Sequence, residues 1–375
     1  MNPTLKQVQE DWRLLDAEDF TVPPNVRIIT NEQNAGTDDI PAHYIFPNRF
    51  VRLFAKCRSL FQIFYALQIL YSADKNTVII MNGGIALQWF YAGYFNRFFV
   101  LHRRIMILRG GFLEYRLGRE RRLWFFPFFV LKIKHKESIA RGALLGYDLI
   151  SVWSKKQAAP HAEVFGLPLE RMLVITYKAN HSKAYHLKGD AYNSGTYDIP
   201  MSDFIFAGGN GKRDYQCLIN AVRDTGIPVI ISATDPTVRK TLERLPNVIL
   251  LGAPEPAFAQ LQAASRLVVV PMINSGLKGG GEANFCNAMW HSKPVIAADT
   301  MAAEDYIIEG ETGYVVPSGD SEGLRKRILE LWNDPEKCSE MGHKGRLHCE
   351  KYFRHITHMR RFLCAAAVLW QEKNK

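Results

Sequence analysis

From residue 204 onward, short apolar runs alternate with stretches of helical period, and that alternation confines this half of the chain to one class of fold. The runs Phe204–Ala207, Pro228–Ser232, Val248–Leu251, Leu267–Val270 and Pro294–Ala297 are short enough to be buried parallel strands. Between them lie Tyr215–Arg223, Thr237–Leu245, Phe258–Ala264 and Glu282–Trp290. In the first of these, Leu218, Ile219 and Val222 share one helical face. Repeated βα units of this kind predict a doubly wound α/β sheet, with ligands bound beyond the carboxyl ends of its strands.

Glycine-rich turns fall at those ends: Gly208-Gly209-Asn210-Gly211, Gly252 and Gly279-Gly280-Gly281. Glycine lets backbone N–H groups approach an anion closely, and a helix N-terminus beyond it adds a positive field. The first turn runs into Lys212-Arg213, and the third is preceded by Lys278. Glycine serves any tight turn, so neither motif alone identifies a phosphate site. Cationic side chains beside two such turns of one sheet are what a diphosphate requires. The candidate nucleotide- and diphosphate-binding set is Gly208, Gly209, Gly252, Lys278, Gly280, Gly281, Asn284 and Asn287.

The segment Leu267–Pro317 contains GGGEANFCNAMWHSKPVIAADTMAAEDYIIEGETGYVVP. It resembles the donor domain of GT-B glycosyltransferases, most nearly family 4. Asn287-Ala288-Met289 matches that family's EAM helix, Ser292–Ile296 its GKPVI strand, and Glu309–Pro317 its dGetGylvp turn. Phe206–Ala221 resembles its glycine–basic–helix element, with Arg213 where lysine is usual. The resemblance covers residues 203–355 well and the first half more faintly. There, Asp148–Val152, Ser154 with Val164–Pro168, and Met172–Thr176 match the last strands of the acceptor domain. Val78–Met81 before Asn82-Gly83-Gly84, and Ile105–Leu108 before Arg109-Gly110-Gly111, match earlier ones.

What the resemblance implies is a GT-B fold, two Rossmann-like doubly wound domains facing a cleft. The expected divisions are an acceptor domain over 1–195, a donor domain over 196–355, and a terminal helix over 356–375 crossing back to the first domain. His186–Pro200 reads as the linker, and Cys349–Trp370 as one helix. The implied activity is transfer of a sugar from a nucleotide-diphosphate sugar to an acceptor hydroxyl, with retention.

Departures from the family pattern bear on mechanism. Its two glutamates, eight positions apart, serve the donor sugar and the ribose; here Gly279 and Asn287 stand in register. Glu282 lies three residues past the first and is the available carboxylate, while Asn287 retains donor and acceptor atoms for ribose hydroxyls. Arg109 takes the family's histidine position, so Arg109, Asn82 and Gly83 form the candidate acceptor side. The expected catalytic set is Arg213, Lys212 and Glu282. With Lys278 and the N–H groups of Gly280–Glu282, the cations would stabilise the leaving diphosphate electrostatically. The chain has no Asp-x-Asp, its six cysteines form no CxxC and its histidines no HxxxH, so neither metal nor cofactor is expected beyond the donor. Two other readings stay open: a sugar-nucleotide 2-epimerase on the same fold, and a non-catalytic subunit binding a partner transferase.

Charge adds a partner. The net charge is +10, and residues 97–141 alone hold 12 basic and three acidic side chains. The opening residues MNPTLKQVQEDWRLLDAEDF are polar and acidic, unlike a secretory signal. The apolar run Leu123–Leu131 is nine residues with a proline inside, against about 20 for a spanning helix. In the basic window, Arg121, Arg122, Lys132 and Lys134 flank Trp124, Phe125 and Phe128, the composition of an interfacial segment. This predicts a cytoplasmic protein docked on an anionic membrane face near a lipid-linked acceptor. The alternative is a buried aromatic element under a solvated basic rim. No nucleic-acid module accompanies the patch, so nucleic acid is not an expected partner.

Overall fold

The computed structural model describes residues 2–17, 20–32, 37, 40–83, 88–98, 104–109, 122–125, 129–132, 136–181, 198–273 and 280–375. Two compact units divide it: Met1–Ile175 with Met359–Lys375, and Thr176–His358.

The first unit is built on six parallel strands, β1 (Arg27–Thr30), β2 (His43–Tyr44), β3 (Thr77–Asn82), β4 (Ile105–Arg109), β7 (Leu149–Val152) and β8 (Met172–Val174). They lie in the order β2-β1-β3-β4-β7-β8. The central strands β3 and β7 are buried on both faces, as their runs TVIIM and LISV require. Two further strands, β5 (Arg122–Phe125) and β6 (Phe129–Lys132), pair antiparallel as a separate hairpin. Ile28, Val78, Ile107, Leu149 and Leu173 share a core with Phe362 and Leu363 of the helix His355–Lys373. Arg361 of that helix is fully buried and meets Asp16 as a fork, Nε to Oδ1 at 2.7 Å and Nη2 to Oδ2 at 2.6 Å. A bidentate pair of this kind holds register as well as charge.

The second unit repeats the plan with β9 (Ile205–Gly208), β10 (Val229–Ser232), β11 (Val248–Leu251), β12 (Leu267–Val270), β13 (Val295–Ala298) and β14 (Gly313–Val316). The order is β11-β10-β9-β12-β13-β14, again all parallel. The turn expected over Glu309–Pro317 contains the edge strand β14, whose glycine, Gly313, sits where a Cβ would stand 2.1 Å from the Val295 carbonyl oxygen.

The boundary between units falls at 175/176, not at 195/196. Residues 176–181 are tied into the second unit: the Tyr177 N–H donates to Tyr306 Oη (2.6 Å), and the Ala179 N–H to the Phe353 carbonyl (2.8 Å). The expected linker lies almost wholly within 182–197, outside the described residues. The single helix expected over Cys349–Trp370 is two, Pro335–Tyr352 and His355–Lys373. Phe353 breaks it because its ring is fully buried and stacked on Tyr306 at 5.1 Å while its carbonyl is claimed by Ala179. The helix expected over Thr237–Leu245 runs over Pro236–Thr241, beginning on a proline as a first helical turn permits.

Candidate functional site

In the second sheet, β9 leads to β10 on one side while β12 lies on the other, so the switch point of the winding lies between β9 and β12. A doubly wound sheet opens a crevice beyond the carboxyl ends at that point. Both glycine-rich turns end there. Gly209, at φ +114°, carries the chain past the end of β9, and a Cβ on it would stand 2.9 Å from Arg213 Nη2. Arg213 pairs with Met272, which follows β12, in an isolated antiparallel bridge, and its Nη1 contacts the Met272 sulfur. Its Nε donates to the Gly208 carbonyl (3.0 Å) and its Nη1 to the Gly211 carbonyl (2.8 Å). Nη2 makes no hydrogen bond among the described residues. Two nitrogens are therefore tethered to backbone carbonyls. Burial lowers the pKa of this guanidinium, an effect opposed by Tyr215 and Glu282. Lys212 is exposed at φ +51°, and its carbonyl accepts from the Ile273 N–H at 2.9 Å.

The helix Glu282–Trp290 starts from Gly281, at φ +93°, with no side-chain cap. Gly281 thus offers the helix's first N–H groups no side-chain partner, at the positive end of the helix dipole. Glu282 occupies the first helical position, is 3% exposed, and its Oε1 has no hydrogen-bond partner. Burial pushes its carboxyl up to about 7, against the pull of its own backbone N–H and of Arg213. Asn284 does not face the ligand with its amide: Nδ2 donates to the Gly208 carbonyl at 2.7 Å and braces the turn. Asn287, a turn farther, accepts from the His181 N–H through Oδ1 (3.2 Å). The His181 ring bridges His291 (2.8 Å) and Glu255 (3.2 Å), and burial with His181 beside it lowers His291 to about 3. Gly252 stands apart, exposed at the end of the outer strand β11.

The first sheet has its own switch point, between β1 and β3, and a polar network fills it. The Asn82 N–H donates to Asn31 Oδ1 (2.8 Å), Asn82 Nδ2 to Glu32 Oε2 (2.9 Å), and Asn31 Nδ2 to Gln88 Oε1 (3.1 Å). Arg109 forms a buried ion pair with Glu32, and the Gly83 N–H donates to the Arg109 carbonyl at 2.9 Å. Arg109, Asn82 and Gly83 do come together.

Sequence reasoning missed Asn31, Glu32, His181, Glu255 and Met272. Recognising RIIT as a strand would have placed Asn31 and Glu32 at its carboxyl end; no local signal marks the others. Of the expected positions, Lys278, Arg121, Phe128 and Lys134 lie outside the described residues. Arg122, Trp124, Phe125 and Lys132 are described as backbone in β5 and β6 only. Among the described residues, no cluster of three His, Cys, Asp or Glu side chains is placed to hold a metal. No described helix is long and apolar enough to cross a membrane.

Part of the second unit is similar to known proteins. Residues 216–334 match the family model described as Glycosyl transferases group 1. A putative glycosyltransferase of Bacillus subtilis, EpsD, is 32% identical over 74 residues, 20% of this chain and 19% of that one. Across the curated relatives the match spans only 18–37% of their length. Sucrose-phosphate synthase from Thermosynechococcus elongatus superposes with a TM-score of 0.58 at 18% identity, covering 87% of this chain and 79% of that one. Anabaena Alr3699/HepE, solved with UDP and glucose, gives 0.54 at 16% identity, with 86% and 85% covered. These structural likenesses are of fold, and the fold is GT-B.

Proposed function

We propose that this chain, whose residues 216–334 match the glycosyl transferases of group 1, moves a sugar from a nucleotide-diphosphate donor to an acceptor hydroxyl. The observation that carries this is Arg213, held by two backbone carbonyls beside the turn that follows β9, with the uncapped start of the helix Glu282–Trp290 following the neighbouring strand β12. As the bond from the anomeric carbon to the diphosphate breaks, its electron pair goes to a phosphate oxygen. Fixed donors aimed at that developing charge act without reorganising, which makes such stabilisation the largest catalytic contribution in many enzymes. Lys212, Lys278 and the N–H groups of Gly280–Glu282 complete the anion site. Asn287 shapes the nucleotide side, and Asn284 braces the turn beside it.

Glu282 is the carboxylate for the donor sugar. With burial raising its carboxyl to about 7, its protonated form can donate a hydrogen bond as well as accept one. We take transfer to be retaining and independent of a metal. The acceptor oxygen then bonds to the anomeric carbon on the face the diphosphate leaves, and its proton passes to the departing phosphate oxygen. Arg109, Asn82 and Gly83 belong to the acceptor side. The acceptor is lipid-linked, and the basic, aromatic segment 95–141 docks the enzyme on the cytoplasmic membrane face.

Calorimetry with UDP and ADP tests the donor site: micromolar binding lost in Arg213→Ala supports it, and equal binding by the variant overturns it. Vesicle flotation of Trp124→Ser with Phe128→Ser tests the docking segment, which fails if binding to anionic vesicles is unchanged.

A further inference from the structure

A second surface of the first unit carries a different combination of residues, all at described positions. Between Asp39 and Asp74 the chain has no acidic residue, and four basic ones, Arg49, Arg52, Lys56 and Arg58. Within this stretch Phe46 is 61% exposed, Phe50 54% and Leu53 77%, while Val51 turns inward at 2%. Arg49, Arg52 and Lys56 are exposed beside them. Large apolar side chains held in water at that level cost free energy that an ordinary soluble surface avoids.

They are not the loose tip of a loop. Asn48 caps the short helix Arg49–Leu53 through Oδ1 and the Val51 N–H (2.9 Å). Gln68 of the helix Arg58–Tyr71 clamps the preceding turn on both sides, its Nε2 on the Phe46 carbonyl (2.8 Å) and its Oε1 on the Asn48 N–H (3.0 Å). Tyr65 of the same helix hydrogen-bonds the Ile45 carbonyl. Phe50, Phe54 and Phe64 form an aromatic cluster with ring centroids 4.5–5.3 Å apart. The scaffold spends hydrogen bonds and stacking on a conformation whose outcome is an outward row of Phe46, Phe50 and Leu53 flanked by cations.

We infer that this row is a membrane-docking surface whose partner is an anionic lipid bilayer, with Phe46, Phe50 and Leu53 entering the interface and Arg49, Arg52 and Lys56 meeting phosphates. The charge decides between partners: cations with no carboxylate among them fit a uniformly anionic plane, whereas a protein interface of this size would mix signs or be neutral at its centre. The inference shares with the proposed function a membrane-borne acceptor, but it stands on other residues and needs no donor chemistry.

Vesicle co-sedimentation with the full chain tests it, using phosphatidylcholine with and without about a third phosphatidylserine. Wild type should bind the anionic vesicles at least tenfold more tightly than the neutral ones, and the gap should close in high salt. Phe46→Ser with Leu53→Ser should weaken anionic binding about tenfold or more, and Arg49→Ala with Lys56→Ala about tenfold. UDP affinity and thermal midpoint should be unchanged in both, which separates loss of docking from loss of fold or of the donor site. Wild-type binding by both variants overturns the inference. So does equal binding to neutral vesicles, or light scattering that shows a dimer dissolved by Phe46→Ser with Leu53→Ser, since a second copy would then be the occupant. Loss of anionic binding in Trp124→Ser alone, with these variants unaffected, assigns docking to the other segment and also overturns it.

Discussion

Replacing Glu282 by glutamine should make the protein more stable at alkaline pH and leave it unchanged in acid. The carboxyl lies 3% exposed with one oxygen unpartnered, and its pKa rises from 4.5 to about 7, with burial the main cause. The folded state therefore holds this proton more tightly than the unfolded one. Stability from the group is fully present below pH 4.5 and is lost as pH rises through about 7. At about 1.4 kcal/mol per pH unit, the ionised group costs the native state about 3 kcal/mol at pH 8.5. Glutamine has the same shape and no charge to desolvate, so Glu282→Gln escapes that cost. Urea unfolding followed by tryptophan fluorescence at pH 4.5 and 8.5 measures it. With a urea slope of about 2 kcal/mol/M, the variant's midpoint should exceed wild type by about 1.5 M at pH 8.5 and match it at pH 4.5. Carboxylates common to both proteins cancel in the comparison. A midpoint difference independent of pH, or a variant weaker at pH 8.5, would refute the burial argument and show that Glu282 is ionised in a polar setting.

Arg213→Ala should lower kcat by about 100- to 1000-fold, the usual loss on removing one preorganised donor to developing charge, while Arg213→Lys restores charge without the fork and recovers part of it; steady-state kinetics with a sugar nucleotide checks both. Gly281→Ala should destabilise the second unit by about 2–3 kcal/mol, because the position needs φ +93° and a Cβ there would stand 2.6 Å from the Phe285 ring; thermal denaturation reads it. Glu32→Ala should cost the first unit about 3 kcal/mol by stranding Arg109 in a buried site, and Glu32→Ala with Arg109→Met should regain much of that, as a double-mutant cycle in urea would show.

The legible parts of this fold are those where local pattern and tertiary setting agree. β9, β10, β12 and β13 are buried on both faces, so each appears as an unbroken apolar run whatever surrounds it. β1 is only four residues, flanked by Arg27 and Asn31, and β14 opens on a glycine that reads as a turn; neither carries enough apolar length to stand out. The Gly-rich turns and Arg213 were visible because glycines and a cation adjacent in sequence form a local pattern. Glu32 with Arg109 and His181 with Asn287 were not, since each pair joins residues far apart in the chain, and only the winding of the sheet brings them together. Asn284 shows the converse: a polar residue in the right motif whose amide is already engaged with the Gly208 carbonyl.

The core of the first unit includes Phe362, Leu363 and Val368, residues translated after the whole second unit. A ribosome making this chain therefore finishes the second unit's strands while the first still lacks a wall of its interior. Synthesis order and assembly order are inverted: the half begun first is the half completed last. During that interval the surfaces of Ile28, Val78 and Ile107 await their cover, which makes the first unit the natural client of chaperones. A stop codon just before Met359 would leave the second unit whole and the first open.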